Sequence, residues 1–260
     1  MKRKALTVVS LVLFVLGIAL ILYPSLSKEV NTAKTNSVIE DFDYAVELMN
    51  EESSSDATDN QTSNKKKDKK QNKKQQNMPV LDKELLDQLY KDLKAYNDDL
   101  IVNGQSSYGN AFVYQDAGVD LSAYGIYDGL IGYVSIPSID THLPIYLGAN
   151  NYNMAKGAAH MNRTSMPIGG KSTNCAIAAH RGMINQTMFD NIVYMNEGDD
   201  LYIVNYWGKL HYRVRETRII NPSQTNSFLI EKGEDLVTLL TCHPYGSNAQ
   251  RFLVICERVD

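Results

Sequence analysis

The chain has 260 residues, 43% of them hydrophobic and 22% charged, enough for one sizeable core after its leading segments are set aside. Its net charge is −4, and residues 129–260 carry eleven acidic against eleven basic side chains, so the folded part has no electrostatic footprint for nucleic acid. Three cysteines without a Cys-X-X-Cys pair, and no His-Glu-X-X-His or calcium-loop spacing, give no metal motif and no sign of a cofactor.

In chain order, Lys2, Arg3 and Lys4 precede the apolar run Ala5 to Tyr23. Nineteen helical residues rise about 28 Å, close to the thickness of a bilayer core. The positive flank predicts residues 1–4 on the cytoplasmic side and the remainder outside. A cleaved signal peptide has a similar pattern. The run exceeds the usual apolar region of one, however, and Tyr23-Pro-Ser-Leu-Ser offers no Ala-X-Ala site, so 5–23 reads as an uncleaved anchor.

Residues 24–78 read as an extracellular stalk. Val38, Ile39, Phe42, Val46 and Met49 mark an amphipathic helix within Asn36 to Met49. Glu51 to Asn77 is nearly all polar and carries the lysine blocks 65–70 and 73–74. It buries too little apolar area to order itself and reads as a spacer, with binding to anionic wall polymer or lipid headgroups as the sharper alternative. In 79–128, Leu81, Leu85, Leu86, Leu89 and Leu93 predict a helix after Pro79 that packs on the barrel, and Tyr108 to Tyr127 reads as loop.

Residues 129–260 consist of short apolar runs between turns, the pattern of a closed, mainly β barrel. The predicted strands are 131–136, 143–146, 175–179, 201–206, 210–216, 218–221, 236–241 and 251–257, with a short helix over Gln186 to Val193. The last two strands flank His243-Pro-Tyr-Gly-Ser-Asn and form an antiparallel hairpin with a long loop. Paired strands lie about 4.8 Å apart, so Arg251 can face the Cys242 sulfur and stabilise a thiolate or an oxyanion. His180 ends the strand before the turn at Gly182, where an imidazole can exchange a proton with a thiol.

Each of these residues has a structural alternative. A lone cysteine in an apolar strand is commonly a small buried hydrophobe, and Cys175 and Cys256 are assigned that role. A disulfide between them has no sequence support. His160 is read as structural, His142, His211 and His243 as surface or hairpin residues, and Arg181 as a solvent or packing residue.

Thr238-Leu-Leu-Thr-Cys242, with Arg251 nine residues further on, resembles the sortase family of cell-surface transpeptidases. Gly157-Ala-Ala-His160, Thr164-Ser-Met-Pro-Ile-Gly-Gly170 and Ala179-His180-Arg-Gly182 look most like its class C, pilus-building branch. The resemblance runs from Gly132 to Val259 and implies an eight-stranded barrel with short helices, an N-terminal helical extension and a catalytic set of His180, Cys242 and Arg251. It also implies sorting-signal substrates of the Leu-Pro-any-Thr-Gly kind, borne by surface or pilin proteins, and an amine acceptor from a pilin lysine or a peptidoglycan precursor. Two rival readings use the same barrel: a hydrolytic cysteine protease, and a non-enzymatic peptide-binding surface protein. Class C members usually carry an Asp-Pro-aromatic lid motif, yet none of prolines 24, 79, 137, 144, 167, 222 and 244 follows an aspartate. The expectation is therefore a lidless, class C-like member.

Overall fold

The computed structural model describes residues 2–55, 81–105 and 118–259. The lysine-rich linker, Pro79 and the first part of the 108–127 loop lie outside the described residues.

Helix α1 (Lys2–Ser55) is continuous, joining the apolar run to the amphipathic stretch, with Pro24 inside it. Its first part presents apolar side chains outward on every side, and the stretch from Val38 to Met49 docks on the barrel. Val38, Phe42, Val46 and Met49 fall on one stripe by their spacing of three and four. Phe42 is buried, edge-on to Tyr133 at 5.9 Å and 4.8 Å from Tyr206. Helix α2 (Lys83–Asn103) starts where the Asp82 carboxylate accepts from the Glu84 and Leu85 amides. Leu86, Leu89 and Leu93 are buried along its inner face, and Asn97 Oδ1 accepts from the Met166 amide at 2.7 Å.

Eight strands close a barrel: β1 (Leu130–Ile136), β2 (Thr141–Leu147), β3 (Ala158–His160), β4 (Thr173–Ala178), β5 (Asp200–Asn205), β6 (Gly208–Ile220), β7 (Asp235–His243) and β8 (Gln250–Arg258). The order around it is β1-β2-β3-β4-β7-β8-β6-β5, with β5 pairing back on β1. Only the β2/β3 and β4/β7 pairs are parallel. A short helix, α3 (Asn151–Lys156), links β2 to β3.

The predicted eight-stranded, mainly β barrel with an N-terminal helical extension is the fold observed, although two of its strands differ from expectation. Three-residue β3 is too short to show a period. The separate strands 210–216 and 218–221 are one strand, β6, whose register shifts between Val214 and Glu216 and interrupts the alternation that a sequence reading relies on. The helix expected over Gln186 to Val193 is absent. That stretch is an irregular loop ending in a 3-10 turn at Ile192–Tyr194, and it buries Met188, Phe189 and Ile192 without forming a helical face.

Candidate active site

Strands β4 and β7 run side by side and parallel, with Ala178 opposite Leu240. Both chains continue past that pair in step, since the Ala179 amide donates to the Leu240 carbonyl at 3.1 Å. Two residues on from the Ala178–Leu240 pair stand His180 and Cys242, so the parallel pairing carries both to the same end of the barrel. On the other side of β7, antiparallel β8 sets Arg251 directly opposite Cys242. The three residues singled out from the sequence thus lie at one end of three adjacent strands, Cys242 on β7, Arg251 on β8 and His180 just past β4.

Hydroxyls in the Thr238 to Cys242 motif hold this alignment. Thr241 Oγ1 donates to the Ala179 carbonyl at 2.8 Å, tying the residue before Cys242 to the residue before His180. Thr238 Oγ1 donates to Asn174 Oδ1 at 2.9 Å, and Asn174 Nδ2 donates to the Leu229 carbonyl at 3.1 Å. Both threonines are fully buried, so the loss of either hydroxyl strands a buried partner. Thr241→Val, nearly isosteric, is expected to cost about 1–3 kcal/mol in urea unfolding. It is also expected to lower turnover beyond what that destabilisation explains, because the step between Cys242 and His180 is no longer fixed. Unchanged turnover in the folded variant contradicts the positioning role.

Cys242 is half-buried, whereas Arg251 is only 4% exposed. Arg251 Nη1 donates to the Asn248 carbonyl at 2.8 Å and the Gln250 carbonyl at 2.9 Å, so the loop between β7 and β8 fixes the guanidinium plane. Burial pushes the Cys242 thiol above its ordinary value, and the charge of Arg251 partly offsets this. Burial lowers the Arg251 pKa, which Cys242 partly offsets in turn. His180 is also moved below its ordinary value by burial. Burial thus disfavours the charged form of each partner, thiolate and imidazolium alike.

The turn after His180 is held by Asp190, which has no sequence signal, and by Arg181 and His243, expected as a solvent or packing residue and a surface or hairpin residue. Asp190 Oδ1 accepts from the Gly182 amide at 2.5 Å, and the Asp190 carbonyl accepts from Arg181 Nε at 3.3 Å. Arg181 Nη1 donates to His243 Nδ1 at 3.3 Å, and its guanidinium lies 5.6 Å from the Tyr245 ring centre. Arg181 therefore packs the His180 turn against the loop after Cys242. A side chain at Gly182, where φ is +85°, would meet the Gly246 amide nitrogen at 3.2 Å, so the two loops touch through backbone.

The remaining candidates lie elsewhere. His160 is fully buried, its Nε2 within 3.1 Å of the Ser165 carbonyl and 3.3 Å of the Thr164 carbonyl, and burial holds its pKa down to about 4. Cys175 and Cys256 are buried free thiols. Each pairs with Val237 from opposite sides, which sets them two strand spacings apart, about 9.6 Å, too far for a disulfide. Among the described residues no group of three His, Cys, Asp or Glu side chains is placed to hold a metal.

A sortase-domain family model matches residues 134–259, from within β1 to just past β8. Sortase A of Listeria monocytogenes is 28% identical over 131 residues, which are 50% of this chain and 57% of that protein. The match thus spans little more than half the length of that curated relative. The crystal structure of sortase C-1 from Streptococcus pneumoniae superposes with a TM-score of 0.63 at 33% identity, over 70% of this chain and 93% of that one. A second Streptococcus pneumoniae structure, of sortase C, gives 0.67 at 29% identity over 86% and 97%. Identity of this order across nearly the whole of a solved relative, on the same closed barrel, establishes that the chain belongs to the sortase family.

Proposed function

We propose that the chain is a membrane-anchored cysteine transpeptidase in which Cys242 is the nucleophile, His180 the proton carrier and Arg251 the oxyanion partner. The observation that carries this reading is the pairing of β7 with parallel β4 on one side and antiparallel β8 on the other, which gathers a thiol, an imidazole and a fixed guanidinium. The anchor is the apolar part of α1, with Lys2, Arg3 and Lys4 on the cytoplasmic side and residues 129–260 outside. Among the described residues between the anchor and the barrel, α1 from Val38 to Met49 and α2 pack on the barrel.

The resting thiol gives its proton to His180 as sulfur attacks the carbonyl at the cleavage site of a Leu-Pro-any-Thr-Gly-like signal. Negative charge on the carbonyl oxygen is met by Arg251. The His180 imidazolium then protonates the departing amine, leaving a thioester on Cys242. An incoming amine, from a pilin lysine or a wall precursor, attacks the thioester and loses its proton to His180. That proton returns to sulfur as the new amide leaves. One structural relative, sortase C of Streptococcus pneumoniae, is described in terms of pilin substrate specificity, which supports a pilin as donor and acceptor here.

The active form shares one proton between Cys242 and His180, so the pair titrates as a unit. Burial of the imidazolium moves the acid limb below 6.5, and burial of the thiolate moves the alkaline limb above 9.0. A plot of kcat/KM against pH is therefore expected to hold a plateau wider than 6.5 to 9.0. A bell narrower than that interval contradicts the assignment of the two limbs.

Transpeptidation is separated from hydrolysis by acceptor dependence. With a sorting-signal peptide, added amine is expected to accelerate peptide consumption and to appear in the product. Hydrolysis at the same rate with and without amine would make the protein a cysteine protease instead.

A further inference from the structure

Helix α1 contacts the barrel in an order that fixes which end of the barrel lies nearer the membrane. Past the apolar run, Asn31 attaches first among the described residues, its Nδ2 donating to the Asn185 carbonyl at 2.7 Å. Asn185 lies in the loop after His180. Asn31, Thr32, Thr35 and Asn36 then line a polar cleft of about 150 Å³ with Asp140 to Leu143 and Gln186 to Met188. Further along, Val38, Asp41, Phe42 and Ala45 line a second cleft, of about 310 Å³, with Gly125 to Asp128, Leu130 and Tyr206.

Strand registers assign these clefts to opposite ends. β3 is antiparallel to β4 and parallel to β2, so the start of β2 at Thr141 lies at the end where β4 finishes before His180. The end of β1 pairs there too, Ile136 opposite Thr141. The first cleft is thus at the Cys242 end. Leu130, the first residue of β1, and Tyr206, just past β5, mark the far end.

Given the reading of α1 as a membrane anchor, on which this rests, we infer that the helix docks the barrel with its Cys242 end toward the bilayer and the Tyr206 end away from it. From Tyr23 to Asn31 is eight residues, about 12 Å of helix. A headgroup layer occupies about 5–7 Å of that rise, so the loop after His180 stands within one or two side-chain lengths of the lipid surface. Pro24 lies between the span and the first attachment. A proline kink tilts the barrel on the surface but does not exchange its ends. Ile184 (71%) and Tyr245 (61%) are exposed at that end. The partner surface is therefore lipid.

The test uses the full chain with Cys242→Ala, which leaves only the two buried thiols, and a fluorophore on either Ile184→Cys or Tyr127→Cys. Tyr127 is 81% exposed at the far end. Both proteins are reconstituted into phosphatidylcholine vesicles, recovered by flotation, and titrated with nitroxide-headgroup lipid. The expected result is loss of fluorescence from position 184 and none from position 127. Equal quenching, or quenching of 127 alone, in protein that floats overturns the orientation while leaving the anchor intact. Protein that does not float overturns the anchor reading, and the orientation with it.

Discussion

Cys242→Ala is expected to abolish acyl-enzyme formation and to lower turnover by about 10⁴-fold or more, the scale on which removal of a nucleophile acts. The loss is specific to chemistry because Cys242 is half-buried near the end of β7, where removing one sulfur opens no closed cavity. Thermal unfolding should shift little. Cys175→Ala and Cys256→Ala reverse this pattern: each removes a buried sulfur from the core and lowers stability, yet the folded protein should keep its turnover. Wild-type turnover in Cys242→Ala, or loss of chemistry in a folded Cys175 or Cys256 variant, contradicts the assignment of the nucleophile.

Arg251→Lys should lose on the order of 10²-fold in kcat, with folding retained. Two carbonyls, of Asn248 and Gln250, hold Nη1 and set the plane of the fork, and the register of β8 sets Arg251 opposite Cys242. A lysine ammonium has three donors on a flexible stem and no plane. It keeps the charge near the thiol but cannot satisfy both carbonyls and also present an aligned donor to the oxyanion. The loss should fall on kcat more than on KM, since the contact strengthens as charge develops on the carbonyl oxygen. Kinetics close to wild type would reduce Arg251 to a clamp for the loop between β7 and β8.

The sequence made the site legible where chemistry and structure are local. β7 and β8 are long, apolar and joined by turn residues, so Cys242 opposite Arg251 is readable from a hairpin and its loop. His180 at a strand end is readable from a small apolar run and a glycine. The parallel β4/β7 pairing that brings His180 beside Cys242 is not displayed in the sequence, because those strands are about sixty residues apart and no local pattern records their register. The same holds for Thr238 and Asn174, a buried pair separated by 64 residues. Asp190 was hidden for another reason. Met188, Phe189 and Ile192 repeat at spacings that imitate a helix, whereas the Asp190 carboxylate is committed to the Gly182 amide and the stretch folds as a loop. The continuity of α1 was obscured by Pro24, which reads as a boundary yet sits inside the helix.

The central claim, acyl transfer through Cys242, is tested most directly by intact-mass and peptide-level mass spectrometry of the protein mixed with a sorting-signal peptide in the absence of amine. The account predicts a mass increase equal to the acyl fragment, located on Cys242, that disappears when an amine is added as the joined product forms. Peptide cleavage with no adduct, or with the adduct on another residue, would contradict it.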